Sequence, residues 1–485
     1  MRYSLQLGWT RFCAGCLAAC LGLLGCGGGG AGSSQPAAPA WTRPIQNVPG
    51  VVIGSAAYSE TLFPIFRSGP GGYQIGSWRE NPTVGSQSLY RVMVAIGNQG
   101  SWSSPVQVSS SSLGYDLAVG PSGEAVLGTY EVDPSKGFGY AFTLRRRVAG
   151  TWEAAGLSME LPKYGESFSP DPMPKVAMDA SGNAVAVWRS WSNPSQVLAT
   201  RWVAGAWSPV EVLAEEIPSI SRIRDIGLSV SPIGDAVIWW METRIGEAGV
   251  HTSRWLKGLP PEAPVTVGVP GLNAPGTVRY PNPGMEILWL KDGSPILGRY
   301  GYTGTFDVSN WVGGGWSAPV SLPALVGQGL DNAFQLAAHR LVLDPSGNPQ
   351  AAWVGYAPDR SVKVMAAGYS PTGWQASSVL GTSDVQFGSN NGGGLLVDRQ
   401  GDGSLAMAWR CGVPDTLQEP ITPIRLGEMV WTTRGPGALN TPVGQSQAIY
   451  PLAVLNLGGG RAQVIWCVLG PGGFTWAITV SSVSG

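Results

Sequence analysis

One interval, repeated along most of the chain, constrains its fold more than any other feature. A turn glycine is followed six residues later by a large residue at Gly72/Trp78, Gly123/Thr129, Gly182/Trp188, Gly234/Trp240, Gly293/Arg299, Gly347/Trp353, Gly403/Trp409 and Gly460/Trp466. Six of these eight pairs end in Trp, and successive glycines lie 51 to 59 residues apart. Self-similarity at such a period marks a supersecondary unit that cannot bury its faces alone and must stack on copies of itself.

The copy at 174–213 is the clearest. Val176, Met178, Ala184, Ala186 and Trp188 sit at period-two spacing in short runs, which predicts strands with one buried face rather than helices. Asp179-Ala180-Ser181-Gly182-Asn183 between the runs is turn chemistry: a carboxylate that accepts from nearby backbone N–H groups and a glycine free to take positive φ. A third strand over 197–203 turns at Ala204-Gly205 into a fourth, whose signature is Trp207-Ser208-Pro209-Val210. The same signature stands at Trp102-Ser103-Ser104-Pro105-Val106 and Trp316-Ser317-Ala318-Pro319-Val320, with weaker versions at Trp152 and Trp374.

The last copy lacks this outer strand, and a matching segment, Trp41-Thr42-Arg43-Pro44-Ile45, precedes the first. That displacement is what closure of a ring requires, because a borrowed strand removes an exposed edge. Residues 41–485 are therefore expected to form a single all-β propeller of eight four-stranded blades, with seven as the alternative count, closed by the N-terminal strand. The repeat tryptophans then fill the space between neighbouring blades. The 70 glycines and 39 prolines among 485 residues suit so many tight turns, and a net charge of −1 with no Lys/Arg cluster argues against a nucleic-acid partner.

The N-terminus carries an address. Arg2 and Arg11 precede a short apolar run over 12–25, too brief to span a bilayer, that ends Leu23-Leu24-Gly25-Cys26. This resembles the lipobox of bacterial lipoproteins, which implies removal of 1–25, lipidation of Cys26, and a Gly/Ser/Pro/Ala tether over 26–40. Gly27 after the cysteine, where enterobacterial retention signals have Asp, points by the same resemblance to the outer membrane. Whether the body faces the periplasm or the outside stays open.

The third-to-fourth-strand turns Gly100-Ser101-Trp102-Ser103-Ser104-Pro105-Val106, Gly150-Thr151-Trp152, Gly205-Ala206-Trp207-Ser208-Pro209-Val210 and Gly315-Trp316-Ser317-Ala318-Pro319-Val320 resemble eroded Asp-box turns of the sialidase-like, or BNR-repeat, propellers. The Ser and Asp of the full box are absent, so the resemblance implies fold rather than activity. The recurring pattern seen at Val176-Ala177-Met178-Asp179 and Ser181-Gly182-Asn183-Ala184-Val185-Ala186 is similar to that of bacterial secreted propeller proteins.

In such a blade the first-second and third-fourth turns share one end, and the second-third and inter-blade connections share the other. The latter are the more variable here (79–88, 130–137, 163–171, 241–246, 273–282, 355–361 and 410–419), and variable loops on a rigid scaffold are where function concentrates. Arg79, Arg189 and Arg410 each follow a repeat Trp at the root of such a loop. Guanidiniums there suit a carboxylate or sulfate, and the resemblance to sialidases, which hold an acidic sugar with three arginines, points the same way. The competing reading lays each Arg across its buried Trp. Tyr130 and Tyr300 share one alignment position, with Glu131 and Glu242 next to it, so the ligand-binding candidates are Arg79, Arg189, Arg410, Tyr130 and Tyr300.

Asp398, Gln400 and Asp402, followed by Gly403, resemble the start of a calcium loop, but Trp409 stands where that loop places Glu. The matching Asp179 and Asp344 read as turn-formers, so no cofactor is required and calcium is the one candidate. His251 and His339 have no triad or ligand partner at recognisable spacing and read as structural. Cys411 and Cys467 follow the repeat tryptophans of the last two copies, where an oxidising compartment would let them form a disulfide, with two buried thiols as the alternative. The expectation is a monomeric, non-enzymatic, lipid-anchored envelope protein that touches the membrane only through its anchor. Its loop face would bind a glycan, peptide or protein. The alternative is a carbohydrate-active enzyme, a glycosidase or lyase, working at the axial mouth.

Overall fold

The computed structural model describes residues 41–53, 65–69, 72–80, 90–98, 101–133, 139–153, 156–161, 173–190, 194–217, 221–244, 247–268, 285–300, 306–321, 339–343, 347–356, 362–370, 373–375, 378–383, 395–399, 405–411, 425–432, 435–436, 448–458, 461–469 and 476–483. Among these residues all regular elements are β-strands, and all strand pairs are antiparallel. Among these residues no helix is long and apolar enough to cross a membrane.

The third repeat shows the unit. Lys175–Met178, Ala184–Arg189 and Gln196–Val203 pair in sequence order, and the outer edge is made by Ala206–Trp207 and then Glu211–Glu215. The outer strand is thus broken where the sequence predicts a continuous one. The serine after Trp explains the break: Ser208 Oγ accepts from the Arg201 N–H at 3.1 Å, while the Ser208 N–H donates to the Arg201 carbonyl at 2.7 Å. One side chain thereby satisfies a ladder group that a bulge would orphan. Ser103 on Ile96 (3.0 Å) and Ser317 on Asn310 (3.1 Å) repeat the arrangement.

The turns are made by the residues the sequence nominates. Gly72, Gly123, Gly182, Gly234, Gly293 and Gly347 all have positive φ, between 77° and 99°. Beside Gly182, Asp179 Oδ1 accepts from the N–H groups of Ser181 and Asn183, both at 2.8 Å, and Oδ2 accepts from Asn183 Nδ2 at 2.7 Å. Its carboxylate is thereby filled as a turn-former. The third-fourth turns at Ala204-Gly205 and Ala149-Gly150 hold both residues at positive φ, as a two-residue type I′ loop demands.

Side chains of neighbouring repeats interdigitate. Phe142 of the second repeat stacks on Trp188 of the third at 4.3 Å, within a core that includes Tyr130, Val176 and Leu198. Val187, Ile223, Ile238 and Trp240 join the third repeat to the fourth. Trp78, Trp188 and Trp240 are buried, each contributing about 4–6 kcal/mol from roughly 150–250 Å² removed from water. A second series is tied to Arg-Trp pairs at 201–202 and 254–255. The guanidinium of Arg146 lies 3.8 Å over Trp202 in the next repeat, Arg201 lies 4.4 Å over Trp255, and Arg254 lies 5.4 Å over Trp311.

The chain closes on itself as the displaced outer strand predicts. Trp41–Ile53 pairs antiparallel with Trp476–Val483, completing the sheet that holds Ala448–Gly458 and Arg461–Leu469. The long strand Val106–Val119 serves two repeats. Its first part pairs with Tyr90–Asn98 as an outer strand and its second with Ala125–Asp133 as an inner one. The innermost strands touch in a circuit: Ile65–Ser68, Val106–Val119, Lys175–Met178, Ser221–Val230, Met285–Trp289, His339–Leu343, Leu395–Arg399, Ala448–Gly458, and back to Ile65–Ser68. The protein is an all-β propeller.

Candidate functional site

The two ends of the propeller are built differently. First-second connections are five residues long in six of the eight repeats, whereas second-third connections run from two residues, between Arg244 and Glu247, to thirteen, between Cys411 and Arg425. The predicted face is the second of these ends. The described residues there are the roots of the loops, where the second strands finish.

Arg79 is buried, 5% exposed. Its Nη1 donates to the Leu113 carbonyl at 2.6 Å, and its guanidinium lies 5.0 Å from the Tyr90 ring centroid. Leu113 is the residue left out of its ladder by a register shift between Ser112↔Glu131 and Gly114↔Tyr130, so Arg79 satisfies a bulged carbonyl of the following repeat. Burial lowers its pKa.

Arg189 donates through Nε to Ser195 Oγ at 2.8 Å and through Nη2 to Glu216 Oε1 at 2.7 Å. The same carboxylate oxygen accepts from the Ile223 N–H of the fourth repeat at 2.7 Å. Burial lowers the Arg189 pKa, partly offset by Glu216. Tyr130 is fully buried, and its hydroxyl both accepts from the Arg189 N–H at 3.0 Å and donates to the Arg189 carbonyl at 3.2 Å. Burial raises its pKa. Tyr130, Arg189, Glu216 and Ile223 therefore form one bonded series across the second, third and fourth repeats.

Arg79 and Arg189 thus have different partners. Each is engaged by its own protein partners, a joint between repeats that the Trp-Arg dipeptide alone does not reveal. Arg410 pairs through its backbone with Leu426, and Tyr300 with Phe306, but the side chains of both lie outside the described residues. So do Cys26, Gln400, Asp402 and the side chains of Asp398, Cys411 and Cys467, and the lipidation, calcium and disulfide readings therefore stand as expectations from the sequence. Among the described residues no three His, Cys, Asp or Glu side chains group as a metal site.

Sequence spacing misses one cluster. His251 Nε2 lies 3.3 Å from Glu242 Oε2, and His251 Nδ1 lies 3.3 Å from Thr266 Oγ1. The imidazole stacks on Trp240, with centroids 5.8 Å apart, and Arg244 Nε lies 3.4 Å from Glu242 Oε1. Hairpin register creates this grouping by setting Trp240 opposite His251 and Glu242 opposite Gly249. Gly249 leaves the room: a Cβ there would stand 3.2 Å from His251 Nε2. Burial lowers the His251 pKa, against a smaller raising effect of Glu242. A neutral imidazole held between a carboxylate and a hydroxyl is chemically able to accept a proton, although both contacts are long for hydrogen bonds. The signal in the sequence was the alternation that sets His251 and Glu242 on one face of a hairpin.

No protein-family model matches the chain, and no curated protein matches it. Solved structures similar to it include the WD40 domain of SCAP from fission yeast, at 11% identity over 91% of this chain and 98% of that one, with a TM-score of 0.45. The polysaccharide lyase Uly1 has 11% identity over 89% and 91% of the two chains, with a TM-score of 0.42. A leech intramolecular trans-sialidase has 10% identity over 91% and 70%, with a TM-score of 0.38. At these values no activity passes from those proteins to this one, and the propeller assignment rests on the strand pairing itself.

Proposed function

We propose that the chain is an exported lipoprotein, anchored through Cys26, whose propeller of eight blades presents its loop-bearing end to a glycan, peptide or protein partner. The observation that carries the reading is the asymmetry of the two ends: turns of two to five residues at one, connections of two to thirteen residues at the other. The repeat count and the circuit of innermost strands support eight blades. Because Arg79, Arg189 and Tyr130 hold repeats together, ligand contacts in this reading come from the loops above them, with Arg410 and Tyr300 as the remaining root candidates.

The test is binding of the full chain to a broad glycan array, alongside capture of envelope proteins, with 163–171, 273–282 and 412–419 each replaced by a short Gly/Ser loop. Selective binding that one replacement abolishes, with the far-ultraviolet spectrum unchanged, is expected. Binding indifferent to all three replacements would sink the loop-face reading.

A second reading is a glycosidase or lyase. It is favoured by Glu131 and Glu242, which sit at the loop ends of their second strands, Glu131 accepting from Nη1 and Nη2 of Arg145 at 2.5 and 3.0 Å and Glu242 beside His251. Hydrolysis by paired carboxylates requires two at a separation of about 5–9.5 Å. Release of reducing ends from polymeric glycans, lost in Glu242→Gln, would replace the binding reading with this one.

A further inference from the structure

Among the described residues, five of the nine exposed large apolar side chains lie at the turn end of the propeller. Ile233, in the first turn of the fourth repeat, is 61% exposed; Leu259, in its second turn, is 57% exposed; and Val312, beside the second turn of the fifth, is 66% exposed. Val148 and Val203 occupy the place of Val312 in the second and third repeats and are exposed as well. Strand propensity accounts for a valine in a ladder but not for Ile233 or Leu259, which lie in turns. Single exposed apolar residues are ordinary on any protein. Here five of them recur at the turn ends of four consecutive repeats, while Val106, Val212, Ile217 and Val320 lie on outer strands or toward the loop end.

The chain enters the propeller at that same end. Trp41 pairs with Val483, and Val483 with Ala462, next to the first turn of the last repeat, whereas Ile53 and Trp476 lie at the loop end. Residues 27–40, GGGGAGSSQPAAPA, separate Cys26 from Trp41. From its Gly/Ser-rich composition a linker of this length is expected to have a root-mean-square reach of about 20 Å, against a radius of gyration of roughly 22 Å for a folded body of this size. A linker whose mean reach is about the size of the body would favour, without fixing, an orientation with the end it leaves from nearer the anchor. The apolar side chains lie on repeats two to five and the tether enters the sheet of repeat eight, so the two contacts are spread around the ring.

We infer that the turn end is the face the propeller rests on the lipid bilayer, with Ile233, Leu259 and Val312 seated in the interfacial layer and the loop end turned away from the membrane. This rests on the anchor at Cys26 proposed above. The two contacts act together: a single acyl-anchored cysteine fixes position but not orientation, and the apolar turns supply the orientation. Ligand loops then face outward whichever leaflet carries the anchor.

The test uses the full acylated chain in vesicles of phosphatidylethanolamine and phosphatidylglycerol, some carrying a headgroup nitroxide. A fluorophore is placed at Thr151→Cys, on a turn, or at Arg222→Cys, at the loop end, and the signal of the chain without the added cysteine is subtracted. Quenching several-fold stronger at 151 than at 222 is expected. Ile233→Asp, Leu259→Asp and Val312→Asp combined should collapse that difference while acylation persists. Equal quenching at the two positions, or stronger quenching at 222, would overturn the orientation, and a difference that survives the triple change would overturn the role of the apolar side chains. The mass of the N-terminal peptide separates the two readings. A peptide without acyl chains on Cys26 overturns the anchor, whereas symmetric quenching of an acylated chain overturns this inference alone.

Discussion

Replacing Tyr130 by phenylalanine removes one oxygen from a fully buried position and tests the joint between the second and third repeats. The second strand of the third repeat, Ala184–Arg189, overhangs its first strand, because Lys175 at the start of that strand pairs with Val187. On its other edge the Ser190 N–H donates to Gln196, so in an antiparallel ladder the peptide groups of Arg189 face the empty side. The Tyr130 hydroxyl serves both, at 3.0 and 3.2 Å. Its loss in Tyr130→Phe would leave a buried donor and a buried acceptor at Arg189 unpaired by that hydroxyl, at a cost of about 1–3 kcal/mol for each. With an unfolding entropy near 2.1 cal/mol/K per residue, summed over the propeller to roughly 0.9 kcal/mol/K, the melting temperature should fall by about 2–6 °C. Differential scanning calorimetry reads the fall, and hydrogen exchange of peptides spanning 184–196 should show faster exchange at Arg189. An unchanged melting temperature with unchanged exchange at Arg189 would refute the argument.

Other consequences follow from the same geometry. Arg189→Ala leaves Glu216 without its guanidinium partner in a site where both side chains are largely buried, and should destabilise by roughly 3–5 kcal/mol in urea titration; a ligand-binding loss in that variant is meaningful only if its fold is intact. Gly227→Ala places a Cβ about 2.1 Å from the Trp239 indole and should cost at least the ~1–3 kcal/mol of overpacking, with Trp239→Leu as a partial rescue read in the yield of soluble protein. Burial raises the pKa of both Tyr115 and Tyr130 above the value near 10 of an unfolded chain. Their contribution should be whole below pH 10 and diminish as pH rises beyond it, since the unfolded chain then loses protons that the folded one keeps; melting curves from pH 8 to 11 should steepen above 10, and less so in Tyr130→Phe. His251, with its pKa lowered by burial, contributes in the opposite sense, so that stability falls as pH drops below about 6.5. His251→Gln should flatten that acid limb in thermal melts.

Much of the fold was legible because it is written eight times. Gly182 and Asp179 predicted a hairpin and form one, since positive φ and an acceptor carboxylate are local requirements that a few adjacent residues meet. Trp41 predicted a borrowed outer strand and pairs with Val483, since a missing strand at one terminus and a spare one at the other have one economical solution. The outer strand itself is broken rather than continuous, because the serine after Trp looks like any polar strand residue until its hydroxyl is seen on the Arg201 N–H.

The candidate site was less legible, and for a physical reason. Strand period, turn chemistry, the repeat and its closure could all be read along the chain, because each depends on residues within one unit or on the count of units. The same reading placed Arg79 and Arg189 at loop roots. What those side chains touch emerged only from the folded molecule: the Leu113 carbonyl, 34 residues away, and Glu216, 27 residues away. Folding likewise set Glu242 and Thr266 on either side of His251 and put the apolar turns at the end where the chain enters. Contacts between repeats depend on the register of separate sheets against one another, and no interval along the chain encodes that.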